Sequence, residues 1–192
     1  MIRIGILGDI GSGKSHVAKL FGYPVFNGDD EVARLYKKSR KCYNKLKKTL
    51  PGYIDSFPVK KIEISKAIIA NQHNLKKIIK IVHPEVRSNM NNFIKKNKNK
   101  RIIVLDIPLL LENKINKKKD ILIFVNAKKK EINKRLKKKL NINPKIIEKF
   151  KKFQLSVEHK KQQADFIIKN NFRNNSTQKN VKRVLEKILL NA

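Results

Sequence analysis

The octapeptide "GDIGSGKS", residues 8–15, constrains this chain more than any other stretch. It directly follows the apolar run Ile4-Gly5-Ile6-Leu7 and directly precedes a segment with helical spacing. It fits G-x-x-x-x-G-K-[ST] at every fixed position, in the strand-loop-helix context that the pattern requires. Gly8, Gly11 and Gly13 let backbone N–H groups converge on phosphate oxygens, and the helix N-terminus adds partial positive charge. Lys14 reaches the terminal phosphates, and the Ser15 hydroxyl suits a divalent cation. Asp9, Ile10, Ser12 and His16 complete the stretch that would touch the nucleotide. The motif specifies a nucleotide's phosphates and leaves the reaction open.

The rest of the chain reads as the alternation built around such a loop. Ile2 to Leu7 has strand character, and Lys14 to Phe21 carries Val17, Leu20 and Phe21 on one helical face. "YPVFN" (23–27) is a short second strand, followed by a helix from Glu31 to Lys48. From Val59 to about Asn97 the periodicity is helical, interrupted at Pro84. The continuous apolar runs Ile102 to Leu105 and "DILIFVN" (120–126) read as interior parallel strands. A helix from about Lys128 to Lys139 follows, then a second one to about Gln163 with Asn143 as N-cap and Pro144 as its first residue. "DFIIKN" (165–170) supplies a fifth strand, and Thr177 to Leu190 a closing helix. The expected fold is α/β, a doubly wound parallel five-stranded sheet of P-loop type with a helical insert and a helical lid.

Charge bounds the partners. The chain has 192 residues, with 47 Lys+Arg against 15 Asp+Glu, for a formal net charge of +32. Such a balance suits polyanions, and it favours a nucleic-acid-binding P-loop ATPase as the rival from another functional class. Lys, Asn and Ile are all abundant, though, and all are encoded by A/T-rich codons, so base composition raises them together without any partner. The basic residues are scattered, with few aromatics among them for stacking bases, so no nucleic-acid partner is expected. The lone Cys42 excludes an intrachain disulfide and a cysteine-cluster metal site, which fits a reducing compartment. No run approaches the roughly 18 apolar residues of a membrane span. A soluble cytoplasmic protein, monomeric or weakly self-associating, is expected.

Several residues carry candidate chemistry, each with a plainer alternative. Asp106 ends an apolar strand, where it either holds a metal or its water, or caps the next turn. Asp29 and Asp30 follow the second strand, where either orients an acceptor hydroxyl or stabilises a helix N-terminus. Arg135, Lys138 and Lys139 either close over transferring phosphates or form solvated surface. His83, ahead of Pro84, is a structural imidazole or a ligand contact. A guanine-specific hydrolase is not expected, because "NKKKD" (116–120) misses the base-reading spacing by one residue and Leu109 stands where Asp-x-x-Gly needs glycine. A small-molecule kinase remains.

Five segments in order resemble the dephospho-CoA kinase family over nearly the whole chain: "GILGDIGSGKSHVAKLF", "PVFNGDDEVARLY", "IVHPEV", "IPLLLE" and "QADFIIKN". The resemblance implies a fold similar to nucleoside monophosphate kinases. It also implies transfer of the γ-phosphate of ATP, with Mg²⁺, to the ribose 3′-hydroxyl of dephospho-CoA, the last step in making coenzyme A. By an ungapped match from Val25, the family's second Asp falls on Asp29 as the catalytic carboxylate and its first on Asn27. Arg135 matches a lid arginine that joins Lys14 and Asp29 in catalysis, while the next lid arginine is here Lys139, which contacts ATP without a bidentate fork.

Counting back from His83, the family's acceptor Asp-Arg pair becomes Lys60-Lys61. Lys61, His83, Pro84, Glu112 and Asp29 are then the substrate contacts, and Ser15 and Asp106 the metal contacts. The implied domains are 1–28, 100–133 and 164–192 for the nucleotide core, 29–99 for the acceptor and 134–163 for the lid. Asp9, His16 and Phe172 depart from the family's Gly, Thr and Gly. Asp9 puts negative charge beside a phosphate site, so Asp9→Gly is expected to keep turnover and leave unchanged or lower the KM for ATP, read in a steady-state assay.

Overall fold

The computed structural model describes residues 1–138 and 143–191. Strands β1 (Ile2–Gly8), β2 (Val25–Asn27), β3 (Ile102–Asp106), β4 (Ile121–Asn126) and β5 (Phe166–Lys169) lie in the order β2-β3-β1-β4-β5. Every pairing is parallel. Such a sheet has to be covered on both faces, and all five residues of β3 are buried.

Side chains alternate along each strand, so each face builds its own core. On one face Ile4, Ile6, Ile102, Val104, Ile123 and Val125 pack with Val17 and Phe21 of the α1 segment (Lys14–Leu20) and Val181 and Ile188 of α9 (Asn174–Leu190). On the other face Leu7, Ile103, Leu105, Leu122 and Phe124 pack with Met90 of α5 (Gln72–Lys96).

A third apolar cluster joins α2 (Gly28–Lys38), α3 (Arg40–Thr49), α4 (Lys61–Ala70) and the first half of α5, through Leu35, Cys42, Leu46, Ile64, Ile68, Leu75, Ile78 and Val82. Cys42 is fully buried there, and burial pushes its thiol up from the ordinary value, which makes it inert. The remaining helices are α6 (Lys129–Lys138), α7 (Pro144–Lys151) and α8 (Val157–Gln162). Lys149 of α7 donates to the Ile68 and Ile69 carbonyls at 2.8 and 3.0 Å, closing the C-terminal end of α4.

Element boundaries differ from the sequence reading in several places, among them a break at Asn71, whose side chain accepts the His73 N–H at 2.8 Å and starts α5. The helix expected from Glu31 to Lys48 is two, because Ser39 is extended and its hydroxyl accepts the Cys42 N–H at 3.1 Å, capping a new helix. The expected interruption at Pro84 does not occur, and α5 runs through it. Proline removes one backbone donor, whereas burial of Leu75, Ile78 and Val82 on one side and Met90 on the other keeps a single axis. The helix beginning at Pro144 stops at Lys151, and Ser156 caps α8 by accepting the His159 N–H at 3.1 Å. Asn143 is the N-cap as expected, accepting the Lys145 N–H at 2.9 Å.

The connection from Asp55 to Lys60 is held by one carboxylate. Glu63 accepts the N–H groups of Asp55, Ser56 and Lys60 and the Ser56 hydroxyl, at 2.8 to 2.9 Å. Burial alone would raise its pKa, but the four hydrogen bonds win and push it from 4.5 down to about 2. A depressed carboxylate stabilises the fold above its unfolded pKa, and that stability disappears as pH falls through the folded value. Glu63→Gln is therefore expected to flatten the decline in Tm between pH 4.5 and 2, followed by thermal melts.

Candidate active site

β1 delivers its backbone into the glycine loop at the C-terminal edge of the sheet, next to the ends of β3 and β4. Ser12 is buried, and its carbonyl accepts a 2.8 Å bond from the Asn170 side chain just beyond β5. The Asn170 carbonyl oxygen accepts in turn from the Thr177 hydroxyl at 2.9 Å and the Phe172 N–H at 3.0 Å. One amide thus ties the loop to the start of α9. Gly13 has φ +92, and a Cβ there would stand 2.3 Å from Asn170 Nδ2, so glycine is required twice over. Gly11 lies against Ile132 and Leu136 of α6.

The Ser12 hydroxyl is buried with no hydrogen-bond partner among the described residues. An orphaned buried donor in a loop of convergent N–H groups suits an anionic ligand. Lys14 Nζ folds back onto the Asp9 and Gly8 carbonyls at 2.9 and 3.3 Å. Burial lowers its pKa; Asp106, Asp29 and Asp9 oppose this, and Lys160 adds to it. Three sequence-predicted carboxylates and the loop lysine therefore share one electrostatic site.

Asp106 ends β3 opposite Asn27 in register. It accepts 2.7 Å from Asn27 Nδ2 and a hydrogen bond from the Ser15 hydroxyl. Burial raises its pKa, Ser15 and Lys14 work against that, and Asp30 reinforces it. The predicted metal pair, Ser15 and Asp106, is in direct contact. Both supply hard oxygen donors, which fits a small divalent cation that keeps most of its ligands as water and phosphate. Among the described residues, no cluster of three His, Cys, Asp or Glu offers a self-sufficient metal cage.

Asn27 has a second task. Its Oδ1 accepts the Asp30 N–H at 2.9 Å and so caps α2, whose first turn holds Asp29 and Asp30. Both acids thus stabilise that helix end.

Arg135 of α6 stacks its guanidinium 4.4 Å above the Phe172 ring, and Phe172, at φ +62, lies 3.4 Å from the Cβ position of Gly13. His16 is exposed on α1. Lys139 lies outside the described residues. Lys61, His83 and Pro84 belong to the helical layer, and no hydrogen bond or ion pair among the described residues joins them to the loop. Burial and then Arg87 lower the His83 pKa, which keeps the imidazole neutral at pH 7.

Glu112 is already engaged, accepting the Leu155 N–H at 2.9 Å and pairing with Lys160 at 3.0 Å. Lys160 and Asn170 are the residues that sequence reasoning missed. Asn170 closes the quoted "QADFIIKN", so a signal for it was present. Lys160 sits among other lysines and has none.

A sequence model described as dephospho-CoA kinase matches residues 2–178. The dephospho-CoA kinases of Bartonella quintana (strain Toulouse) and Wolbachia pipientis wMel are each 33% identical over 193 residues, covering 98% of this chain and 98% of theirs. Among solved structures, the protein TT1252 from Thermus thermophilus superposes with a TM-score of 0.77 at 26% identity, covering 99% of this chain and 97% of that one. The dephospho-CoA kinase from Campylobacter jejuni shares the fold, with a TM-score of 0.65 at 17% identity, over 97% of this chain and 96% of its own.

Gly13→Ala combines a left-handed φ with a clash against Asn170. The variant is expected to lose at least about tenfold in ATP affinity, equivalent to about 1.4 kcal/mol, measured by titration calorimetry.

Proposed function

The chain belongs to the dephospho-CoA kinase family, and from that premise we propose that it transfers the γ-phosphate of ATP to the ribose 3′-hydroxyl of dephospho-CoA. The products are coenzyme A and ADP, and the step is the last in coenzyme A synthesis. The observation that carries the reading is the G-x-x-x-x-G-K-S loop at the C-terminal edge of the sheet, with Asp106 at the end of β3 accepting from its Ser15, in a chain that matches the family from residue 2 to 178.

Phosphoryl transfer asks mainly for positioning and charge neutralisation. The loop N–H groups and Lys14 grip the β- and γ-phosphates, and Arg135, stacked on the Phe172 ring that neighbours Gly13, neutralises charge from the flank. Asp29 orients the 3′-hydroxyl and takes its proton as the oxygen bonds to the γ-phosphorus. The bond from that phosphorus to the bridging oxygen breaks, and ADP leaves. Ser15 and Asp106 would hold Mg²⁺, which supplies neutralisation of the phosphate charge when bound. Asn27 keeps Asp106 oriented, because an amide donates where a carboxylate would repel.

In this reading residues 1–28, 100–133 and 164–192 form the nucleotide core, 29–99 the acceptor domain and 134–163 the lid. Gly8 to His16 and Lys139 then contact ATP, and Lys61, His83, Pro84 and Glu112 contact dephospho-CoA. We place the enzyme in the cytoplasm as a monomer or weak homo-oligomer without a nucleic-acid partner. Among the described residues, no helix is long and apolar enough to cross a membrane.

A coupled ADP-release assay comparing dephospho-CoA, adenosine, AMP and no acceptor tests the reading. Turnover is expected with dephospho-CoA, and preference for AMP or adenosine would replace it with a nucleotide or nucleoside kinase. Asp29→Asn is expected to lower kcat by roughly two to four decades, the range of a positioned acid or base. Near-normal turnover in that variant would remove Asp29 from the mechanism.

A further inference from the structure

Among the described residues two ion pairs are buried, and they stand at different places in the fold. Arg3 and Asp120, 2.9 Å apart, lie at the start of β1 and just before β4. The Asp120 carboxylate also accepts the Lys117 N–H at 2.9 Å, so this pair fastens strands at the end away from the loop. Lys160 and Glu112, 3.0 Å apart with side chains 5% and 11% exposed, lie toward the loop end. Glu112 follows β3, and α8, which carries Lys160, packs against β1. The next residue, Lys161, stands 5.7 Å over the Phe124 ring of β4, which fixes α8 on this face of the sheet.

A buried ion pair contributes little to stability compared with apolar residues of the same volume. Phe124 pairs in register with Leu7, the residue before the loop, so α8 stands at the loop end of this face. An ammonium carries three N–H donors. Lys160 gives one to Glu112 and one to Gln154 Oε1 at 3.2 Å, which leaves one without a protein acceptor among the described residues. A buried cation at the loop end of the sheet, with a donor to spare, is the complement of a polyphosphate.

We propose that Lys160 is a second phosphate-binding lysine of the nucleotide site, held by Glu112 and Gln154 and facing the ATP phosphates together with Lys14. The proposal rests on the reading of the loop as an ATP site. Glu112 then serves to aim a cation and to join the loop after β3 to the segment that precedes α8, through the Leu155 N–H. Affinity for triphosphate then depends on both lysines.

The test is ATP affinity by titration calorimetry, in the absence of acceptor, for the full chain and three variants. Lys160→Met is expected to weaken ATP binding about tenfold or more, and Lys160→Arg to restore it to within about threefold of the parent. Lys160→Met combined with Glu112→Gln leaves no buried charge unpaired, and it is expected to show the same loss with a preserved melting transition. ATP affinity within about twofold of the parent in both Met variants would overturn the proposal and leave a merely structural pair.

In the unmutated protein, the Lys160 ammonium signal in ¹⁵N-lysine spectra is expected to shift on addition of ATP. An unmoved signal at saturation would equally overturn it. Because no acceptor is present, a parent protein that binds ATP but gives no ADP release with dephospho-CoA would sink the kinase reading while these comparisons still decide Lys160.

Discussion

Everything in the site depends on how the glycine loop is held after it leaves β1. Its backbone N–H groups are to face a ligand, so they cannot be satisfied by the sheet or by a neighbouring loop, and the turn has to be fixed from outside. Asn170 does this with one side chain, donating to the Ser12 carbonyl and accepting from Thr177 and Phe172. Residues 158 positions apart in sequence meet at 2.8 Å because β4 lies between β1 and β5. The bare backbone at Gly13 follows from the same contact, since any Cβ would occupy the Asn170 amide.

Around that turn the chain concentrates charges of both signs. Lys14, Asp106, Asp29 and Asp9 act on one another, and burial shifts Lys14 and Asp106 toward their neutral forms. Such mutual frustration is expected where charge has to be available to a ligand rather than consumed within the fold. Asn27 limits the cost by donating to Asp106 with one end of its amide and capping α2 with the other. The N-terminal turn of α2, and Asp29 with it, is thereby fixed relative to the end of β3.

The strands, the loop and the helix after it were legible in the chain because local physics specifies them. Apolar runs of strand length have to be covered on both faces, and a G-x-x-x-x-G-K-S sequence has few other uses. Caps formed by a residue's own neighbours were half legible. Asn143 beside Pro144 reads as a cap, whereas Ser39 lies inside a continuous polar helical pattern although its extended backbone ends α2 and its hydroxyl caps α3. Pro84 was overread, since its local penalty is smaller than the burial that α5 gains on either side of it.

The sequence alone determined a G-x-x-x-x-G-K-S loop and the parallel sheet that presents it, because the motif and the apolar patterning are local and periodic. Only the tertiary structure decided that Lys160 is buried against Glu112 and which buried amide pins the loop. Lys160 is one lysine among many until α8 packs against β1, and Asn170 one asparagine among many until β5 takes its place beside β4. Burial and long-range proximity follow from how elements pack together. No window along the chain encodes them.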